Sequence, residues 1–97
     1  MGQNDKCSWA ERKQAMNIAD HGYDFADLEG AFDGRFLITR RDTRFDYGEA
    51  RYNCLVEFEG RILNITFTPR QGRFHLISAR PASRKERKVY HDKSTTG

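Results

Sequence analysis

Basic side chains repeat at helical spacing near the C-terminus: Arg84, Arg87, Lys88 and His91. A helix would place them in one stripe along its surface. Arg80 extends the stripe, because it ends an apolar strand and precedes Pro81, which cannot continue the strand. A guanidinium group donates paired hydrogen bonds that match two oxygens of a phosphate. The pattern predicts a phosphate-binding surface, and its alternative is a solvated helix face.

Candidate proton-transfer groups lie further towards the N-terminus. Glu49 could act as a general base, with Arg51 orienting it or holding a phosphate. His21 ends a predicted helix, where the helix dipole favours a protonated imidazole that could serve as general acid or phosphate contact. Its alternative role is a helix-capping residue. For His75 and His91 the sequence shows no partner.

Neither a metal ion nor a cofactor is predicted. The acidic residues of the loop 42–51 lack the regular spacing of a calcium loop, and arginines stand among them. Cys7 and Cys54 are the two cysteines, and neither a disulfide nor a cysteine metal site is indicated. Glu86 is explained by a capping box with Ser83 at the start of the last helix.

Charge is distributed unevenly along the 97 residues. Residues 1–34 carry 3 Lys or Arg against 7 Asp or Glu, whereas residues 35–97 carry 14 against 7. The basic part favours a polyanion or an acidic protein as partner. The length predicts one domain, with a core over about 8–92 and flexible tails at both ends, 1–7 and 93–97. No apolar run reaches the roughly 18 residues of a membrane span, so a cytoplasmic protein without a membrane partner is predicted.

The elements that must position these side chains follow from hydrophobic spacing. A capping box from Ser8 to Glu11 predicts a helix up to about Asp20, with Met16 and Ile18 among its apolar residues. A second helix is predicted over residues 24–32. Four strands are then predicted, over residues 35–40, 51–57, 62–68 and 73–80, and a last helix over residues 83–92. The predicted fold class is α+β, with two N-terminal helices, a four-stranded, mainly antiparallel sheet that has its helices on one face, and a C-terminal helix.

Taken in order, several short motifs resemble those of the BrnT family of bacterial toxin–antitoxin systems. The similarity runs from about Trp9 to Tyr90. The motifs that carry it are Trp9 with Lys13 and Asn17, His21-Gly22, Phe25, Phe32-Asp33, Asp42-Thr43-Arg44, Gly48-Glu49-Ala50-Arg51, and Ile77-Ser78-Ala79-Arg80 followed by Ala82, Arg84, Glu86, Arg87 and Tyr90. Two positions depart from the family pattern: Ala10 replaces the usual Asp, and Asp20 replaces a common Lys.

The resemblance implies a fold similar to RelE-type ribonucleases and a metal-independent endoribonuclease that stops translation. It also implies an antitoxin partner with a DNA-binding domain, and a dimer or a toxin–antitoxin heterotetramer. On this hypothesis Arg80 and Arg84 bind the scissile phosphate with help from Arg51, and Glu49 or His21 moves protons. The remaining RNA contacts would be Arg44, Arg87, Lys88 and Tyr90, the last by stacking on a base or else by packing alone.

Two other functions are compatible with the same residues. A non-catalytic module could bind nucleic acid or an acidic partner through the basic surface, with strong salt dependence and no strand scission. An inactive toxin could retain antitoxin binding only, and Asp20 motivates this alternative because it places an anion beside His21.

Overall fold

Six strands form one mixed sheet in a computed structural model of the chain, which describes residues 1–44, 46 and 48–95. The strands are β1 (Gly2–Gln3), β2 (Cys7–Trp9), β3 (Leu37–Asp42), β4 (Arg51–Phe58), β5 (Arg61–Arg70) and β6 (Arg73–Pro81). Their order across the sheet is β1-β2-β6-β5-β4-β3. Neighbouring strands are antiparallel except β2 and β6, which are parallel. The helices are α1 (Glu11–His21), α2 (Arg84–Thr95) and a 3₁₀ helix (Phe25–Phe32).

The prediction of a four-stranded sheet is wrong, because the N-terminal segment adds β1 and β2. The capping box predicted from Ser8 to Glu11 is also wrong. Ser8 lies within β2, and its hydroxyl is hydrogen-bonded to Nδ1 of His75 on β6, at 2.9 Å. The helix α1 begins only at Glu11, after Ala10. The segment 1–7, expected as a flexible tail, therefore includes residues that pair within the sheet.

The second predicted α-helix is a 3₁₀ helix. Asp24 caps it as predicted, since its carboxylate accepts a hydrogen bond from the amide of Ala26 at 3.0 Å. Phe25, Leu28 and Ala31 are fully buried. These three residues are spaced by three, and three residues per turn bring them onto one line that faces the core. The structure thus has a single α-helix before the sheet's long strands, not two.

The helices pack on both faces of the sheet, which corrects the prediction of one face. On the first face, the 3₁₀ helix covers alternate residues of β4 such as Cys54 and Val56. On the second face, α2 places Tyr90 against Leu55 and Ile62. The interior strand β4 is apolar on both sides at this end, so it needs a cover on each face.

The hairpin from β4 to β5 is confirmed at Glu59 and Gly60, whose φ angles of 51° and 81° suit a tight two-residue turn. The strand β3 begins at Leu37 and extends to Asp42, two residues further than predicted. The strand β5 extends to Arg70, and the last helix continues to Thr95. Four residues assigned above to the loop and the C-terminal tail lie outside the described part: Phe45, Tyr47, Thr96 and Gly97.

The helix α1 is held to the sheet mainly through one polar side chain. Asn17, the buried residue of α1, donates to the carbonyl of Ala79 and accepts from the amide of the same residue, both at 2.9 Å. It also donates to the carbonyl of Tyr23 at 2.9 Å. Met16 and Ile18, expected on a packed side of the helix, are each 44% exposed. The side-chain amide of Asn17, bonded to the backbone of Ala79 on β6, therefore takes the place of the expected apolar contact.

Replacing Ala10 with Asp should stabilise the protein by about 1 kcal/mol. Ala10 is the N-cap of α1, with extended backbone angles and no side-chain hydrogen bond to the helix. An Asp there can accept from an amide of the first turn and carries a charge that suits the helix dipole. Urea unfolding of A10D beside A15D, an exposed mid-helix control, measures the effect. Equal free energies of unfolding for the two variants would contradict a capping effect.

Candidate functional site

A cleft of about 330 Å³ opens on the second face of the sheet, beside α2. Its lining combines three kinds of side chain. The apolar ones are Ile38, Leu55 and Val89; the uncharged polar ones are Asn53, Asn64 and Thr43; the charged ones are Arg40, Arg41, Asp42, Arg44, Lys85 and Glu86. The cations outnumber the carboxylates by two to one at this cleft. Its volume is near the small end of the range for ligand sites, about 300–1,000 Å³.

Arg80 lies at the border of the cleft and is fixed there by Glu86 of α2. The guanidinium donates to both carboxylate oxygens of Glu86, at 2.8 and 3.1 Å. The same carboxylate accepts from the side chain of Asn64 at 2.7 Å and from the amide of Ser83 at 2.8 Å. These bonds, that of Arg80 first, lower the pKa of Glu86 to about 2. Glu86 is therefore an anion at neutral pH that positions Arg80, and the capping box predicted with Ser83 is confirmed.

One edge of the Arg80 guanidinium remains open to a ligand. Its Nη1 also donates to the carbonyl of Pro81 at 3.2 Å. Within the described part of the chain, no acceptor bonds the Nε hydrogen or the second Nη2 hydrogen. These two hydrogens form the side edge of the planar group, which matches two phosphate oxygens. With 41% of its side chain exposed, Arg80 presents this edge to solvent on a rigid strand.

The predicted loop cation Arg44 lies at the other side of the cleft. It makes a bidentate pair with Asp42, at 3.0 and 2.9 Å. Its side chain is 72% exposed, whereas that of Asp42 is 2% exposed. Arg40, Arg41 and Arg44 thus line the cleft from β3 and the segment after it, and Lys85 lines it from α2. A polyanion lying here would meet cations on both sides.

The predicted proton-transfer residues are not all brought to this cleft. Arg51 projects from the second face, in register with Asp42. Glu49 is ion-paired with Arg70, at 3.0 Å, at the end of β5. His21 is exposed at the end of α1. Among the described residues, those lining the cleft belong to β3, β4, β5, α2 and the segment 43–44, and none belongs to α1.

The predicted basic stripe of α2 is exposed, as a solvated or ligand-binding face must be. Arg84 lies at the first position of the helix, and Arg87 donates to the carbonyl of Ala82 at 2.9 Å. Lys88 pairs with Asp92 at 2.9 Å. Tyr90 is 7% exposed and lies edge-on to Phe36, with ring centroids 5.3 Å apart. Burial raises the pKa of the Tyr90 hydroxyl, and its contact with a base stays a prediction.

Sequence reasoning missed the residues that form the floor of the cleft. Asn53 and Asn64 lie on strands whose other residues on the second face are partly apolar, and strand register makes the two residues diagonal neighbours. Lys85 was also missed, because it falls outside the stripe of its neighbours on the helix. The available signal was the alternation of Asn64 and Thr66 along β5, which marks a polar strip on one face.

Acidification below about pH 6.5 should destabilise the protein through His75. This residue is 7% exposed, and burial, with the charge of Arg70, lowers its pKa. The folded state therefore favours neutral His75, and its contribution to stability is complete above the ordinary pKa and lost as the pH falls through the lowered value. Free energies of unfolding at pH 7.5 and 5.5 should differ less in H75Q than in wild type. The exposed-site variant H91Q should keep the wild-type difference; if H75Q keeps it as well, His75 is not the responsible group.

Over residues 9–86 the chain matches the family described as ribonuclease toxin, BrnT, of type II toxin-antitoxin system. The chain belongs to the BrnT family. No match was found among curated proteins. Membership in the BrnT family makes the chain a ribonuclease toxin with an RNA substrate and an antitoxin protein as partner.

Other features of this BrnT chain bear on its chemistry. Burial raises the pKa of Cys7 and Cys54 to about 11, so neither thiol is a thiolate at neutral pH. Both cysteines are free. Within the part that the structure describes, no three His, Cys, Asp or Glu residues are grouped so as to hold a metal ion. No helix of that part is long and apolar enough to span a bilayer.

Proposed function

We propose that the chain is an endoribonuclease that cleaves RNA without a metal ion and thereby stops translation. The scissile phosphate would bind at Arg80, at the border of the cleft. The observation that carries the proposal is the open side edge of Arg80, fixed on β6 by the bidentate pair with Glu86. A preorganised guanidinium stabilises charge that develops on a phosphate without reorganising during the reaction.

The 2′-hydroxyl of the RNA supplies the nucleophile. Its oxygen attacks the adjacent phosphorus, and the bond from phosphorus to the 5′-oxygen breaks. The products are a 2′,3′-cyclic phosphate and a 5′-hydroxyl. One proton leaves the 2′-hydroxyl and one is taken up by the departing 5′-oxygen, so the reaction needs a base and an acid but no metal. Arg80 would neutralise the charge on the phosphate oxygens throughout.

The remaining roles are assigned by position. Arg51 lies on the same face as Arg80 and is proposed as a second phosphate contact, and Arg84 as a third, from the first turn of α2. Glu49 is not proposed as the proton acceptor at Arg80, because its ion pair with Arg70 holds it six residues along β5 from Asn64, the register partner of Arg80. Glu86 is not proposed as an acid, since its pKa of about 2 leaves it without a proton at neutral pH. His21 and Tyr90 are not needed in this arrangement.

The departures from the family pattern do not touch the proposed site. Asp20 lies exposed on α1, and Ala10 precedes that helix. Neither residue lines the cleft. An active enzyme is therefore favoured over an inactive toxin that only binds its antitoxin. The antitoxin would then keep the cell alive by covering or distorting the Arg80 border, and its own DNA-binding domain would regulate the pair.

The purified protein, freed of antitoxin, should cleave end-labelled RNA in the presence of EDTA. The 5′ fragments should carry 2′,3′-cyclic phosphates, which acid opens to a mixture of 2′- and 3′-phosphates. An RNA with 2′-O-methyl groups should stay intact, because it lacks the nucleophile.

Ribosomes bearing messenger RNA provide the second arm of the assay. Cleavage only in that arm would show a ribosome-dependent ribonuclease, and the phosphate chemistry proposed at Arg80 would stand. Cleavage lost with EDTA and restored by a divalent ion would overturn the metal-independent mechanism. Salt-sensitive binding with no cleavage in either arm would identify a non-catalytic binding module and overturn the proposal.

A further inference from the structure

The floor of the cleft has the composition of a site for a flat heteroaromatic group. Ile38, Leu55 and Val89 supply apolar walls from two strands and from α2. Between them lie two amide side chains, Asn53 and Asn64. Apolar walls with a few placed polar groups are typical of sites that bind an organic ring and fix its orientation.

Each of the two amides keeps one hydrogen-bonding group available: an acceptor on Asn64 and a donor on Asn53. Asn64 is 5% exposed, and its Nδ2 is used on Glu86, which directs the Oδ1 away from that carboxylate. The Oδ1 of Asn53 accepts from the hydroxyl of Thr66 at 2.8 Å, which leaves its Nδ2. Among the described residues, neither the Oδ1 of Asn64 nor the Nδ2 of Asn53 has a hydrogen-bond partner. Neither atom is buried away from solvent, so both are open to water or to a ligand in the cleft.

Sheet register places these two atoms within reach of one ligand. Asn53 is opposite Thr66, and Asn64 is opposite Leu55, so the two amides are diagonal neighbours on the second face. Diagonal neighbours are about 7–8 Å apart, with their side chains somewhat closer. A donor and an acceptor on diagonal side chains can bond two separate positions on the edge of one nucleobase.

We propose that the cleft binds one nucleobase of the RNA and that Asn53 and Asn64 read its edge. This inference rests on the proposed function, because it places the base next to the phosphate held by Arg80. Arg80 is in register with Asn64, on the neighbouring strand, so a base over Asn64 has its phosphate within reach of the open guanidinium edge. Lys85 and Arg40 would hold the phosphates that flank the base, without regard to its identity.

Nuclear magnetic resonance titration of the ¹⁵N-labelled protein tests the base site without requiring cleavage. The ligands are AMP, GMP, CMP and UMP, with ribose 5-phosphate as the ligand that has the charge but no base. The readout is the side-chain amide signals of Asn53 and Asn64, with those of Asn4 and Asn17 as internal controls. At least one nucleotide should bind about tenfold more tightly than ribose 5-phosphate, the scale of a bidentate base contact.

Two variants separate base reading from phosphate attraction. N53A should lower the affinity for the preferred nucleotide to that of the other nucleotides. K85A should weaken the binding of all five ligands by the same factor. K13A is the charge-matched control, because Lys13 is exposed on α1 and does not line the cleft.

Equal affinity for all five ligands, or shifts confined to signals far from the cleft, would overturn the base site. An unchanged preference in N53A would remove Asn53 from the reading of the base. Absence of ribonuclease activity is a separate result of the cleavage assay and would not alter a base preference measured by titration.

Discussion

Replacing Arg80 with Ala should lower the rate of RNA cleavage by about 100- to 1,000-fold, the effect of removing one preorganised donor from a charge-stabilising site. The open side edge of its guanidinium is proposed to bond two oxygens of the scissile phosphate, and Ala offers no donor. The fold should persist, because the ion pair with Glu86 is partly exposed: 41% of the Arg80 side chain and 26% of the Glu86 side chain are accessible. Exposed ion pairs contribute about 0–1 kcal/mol to the free energy of unfolding. Single-turnover cleavage of end-labelled RNA, with circular dichroism on the same samples, measures both effects.

Arg61 provides the matched control for this substitution. It is an exposed arginine at the start of β5, beyond the cleft. R61A should cleave RNA at close to the wild-type rate. R80K tests the shape of the donor, since Lys keeps the charge but cannot form two parallel bonds, and it should recover only part of the lost rate. A folded R80A that cleaves at the wild-type rate would remove Arg80 from the site.

Replacing Asn17 with Asp should lower the free energy of unfolding by about 3–5 kcal/mol, the usual cost of an unpaired charge in the interior. Asn17 is 4% exposed, and its Nδ2 donates to the carbonyls of Tyr23 and Ala79. Asp has no donor for these oxygens and sets a carboxylate against them. Since domains are stable by about 5–15 kcal/mol, the loss is a large part of the total. Urea unfolding followed by Trp9 fluorescence measures it.

The same substitution at Asn4 is the control. Its side chain acts only as an acceptor, from the amides of Lys6 and Cys7, at 3.3 and 2.8 Å. Asp accepts both bonds equally well, so N4D should unfold at close to the wild-type urea concentration. If N17D and N4D unfold together, the amide of Asn17 does not hold α1 to the sheet edge.

The strands that the sequence predicted best are those whose partners are next in the chain. β4, β5 and β6 follow one another through short turns, so alternation along each strand was enough to locate them. The strand β2 could not be found in this way. Its residues Cys7 to Trp9 pair with β6, and the Ser8 hydroxyl that suggested a helix cap is used by His75, 67 residues away. A local capping pattern cannot show that a distant side chain claims the same hydroxyl.

The residues of the candidate site also differ in whether local sequence could identify them. Arg80 could be selected from sequence because a strand end and Pro81 fix its position, although that selection still awaits the cleavage assay. Its partner Glu86 was read as a cap alone, because the bidentate bond depends on how α2 packs over the second face. Asn53 and Asn64 escaped notice because their proximity is a property of strand register. The 3₁₀ helix was missed for another reason. The spacing of three from Phe25 to Leu28 fits both helix types, and the spacing of four from Leu28 to Phe32 favoured an α-helix.

The parallel pairing of β2 with β6 determines when the sheet can be completed during synthesis. Cys7 and Phe74 are in register, so an early segment of the chain must wait for one of the last strands to leave the ribosome. Until then the amide of Asn17 lacks the edge of β6, and Arg80 has neither its strand partners nor Glu86. Contacts between distant segments close late in folding. The proposed site at Arg80 is therefore completed only after β6 and α2 have left the ribosome.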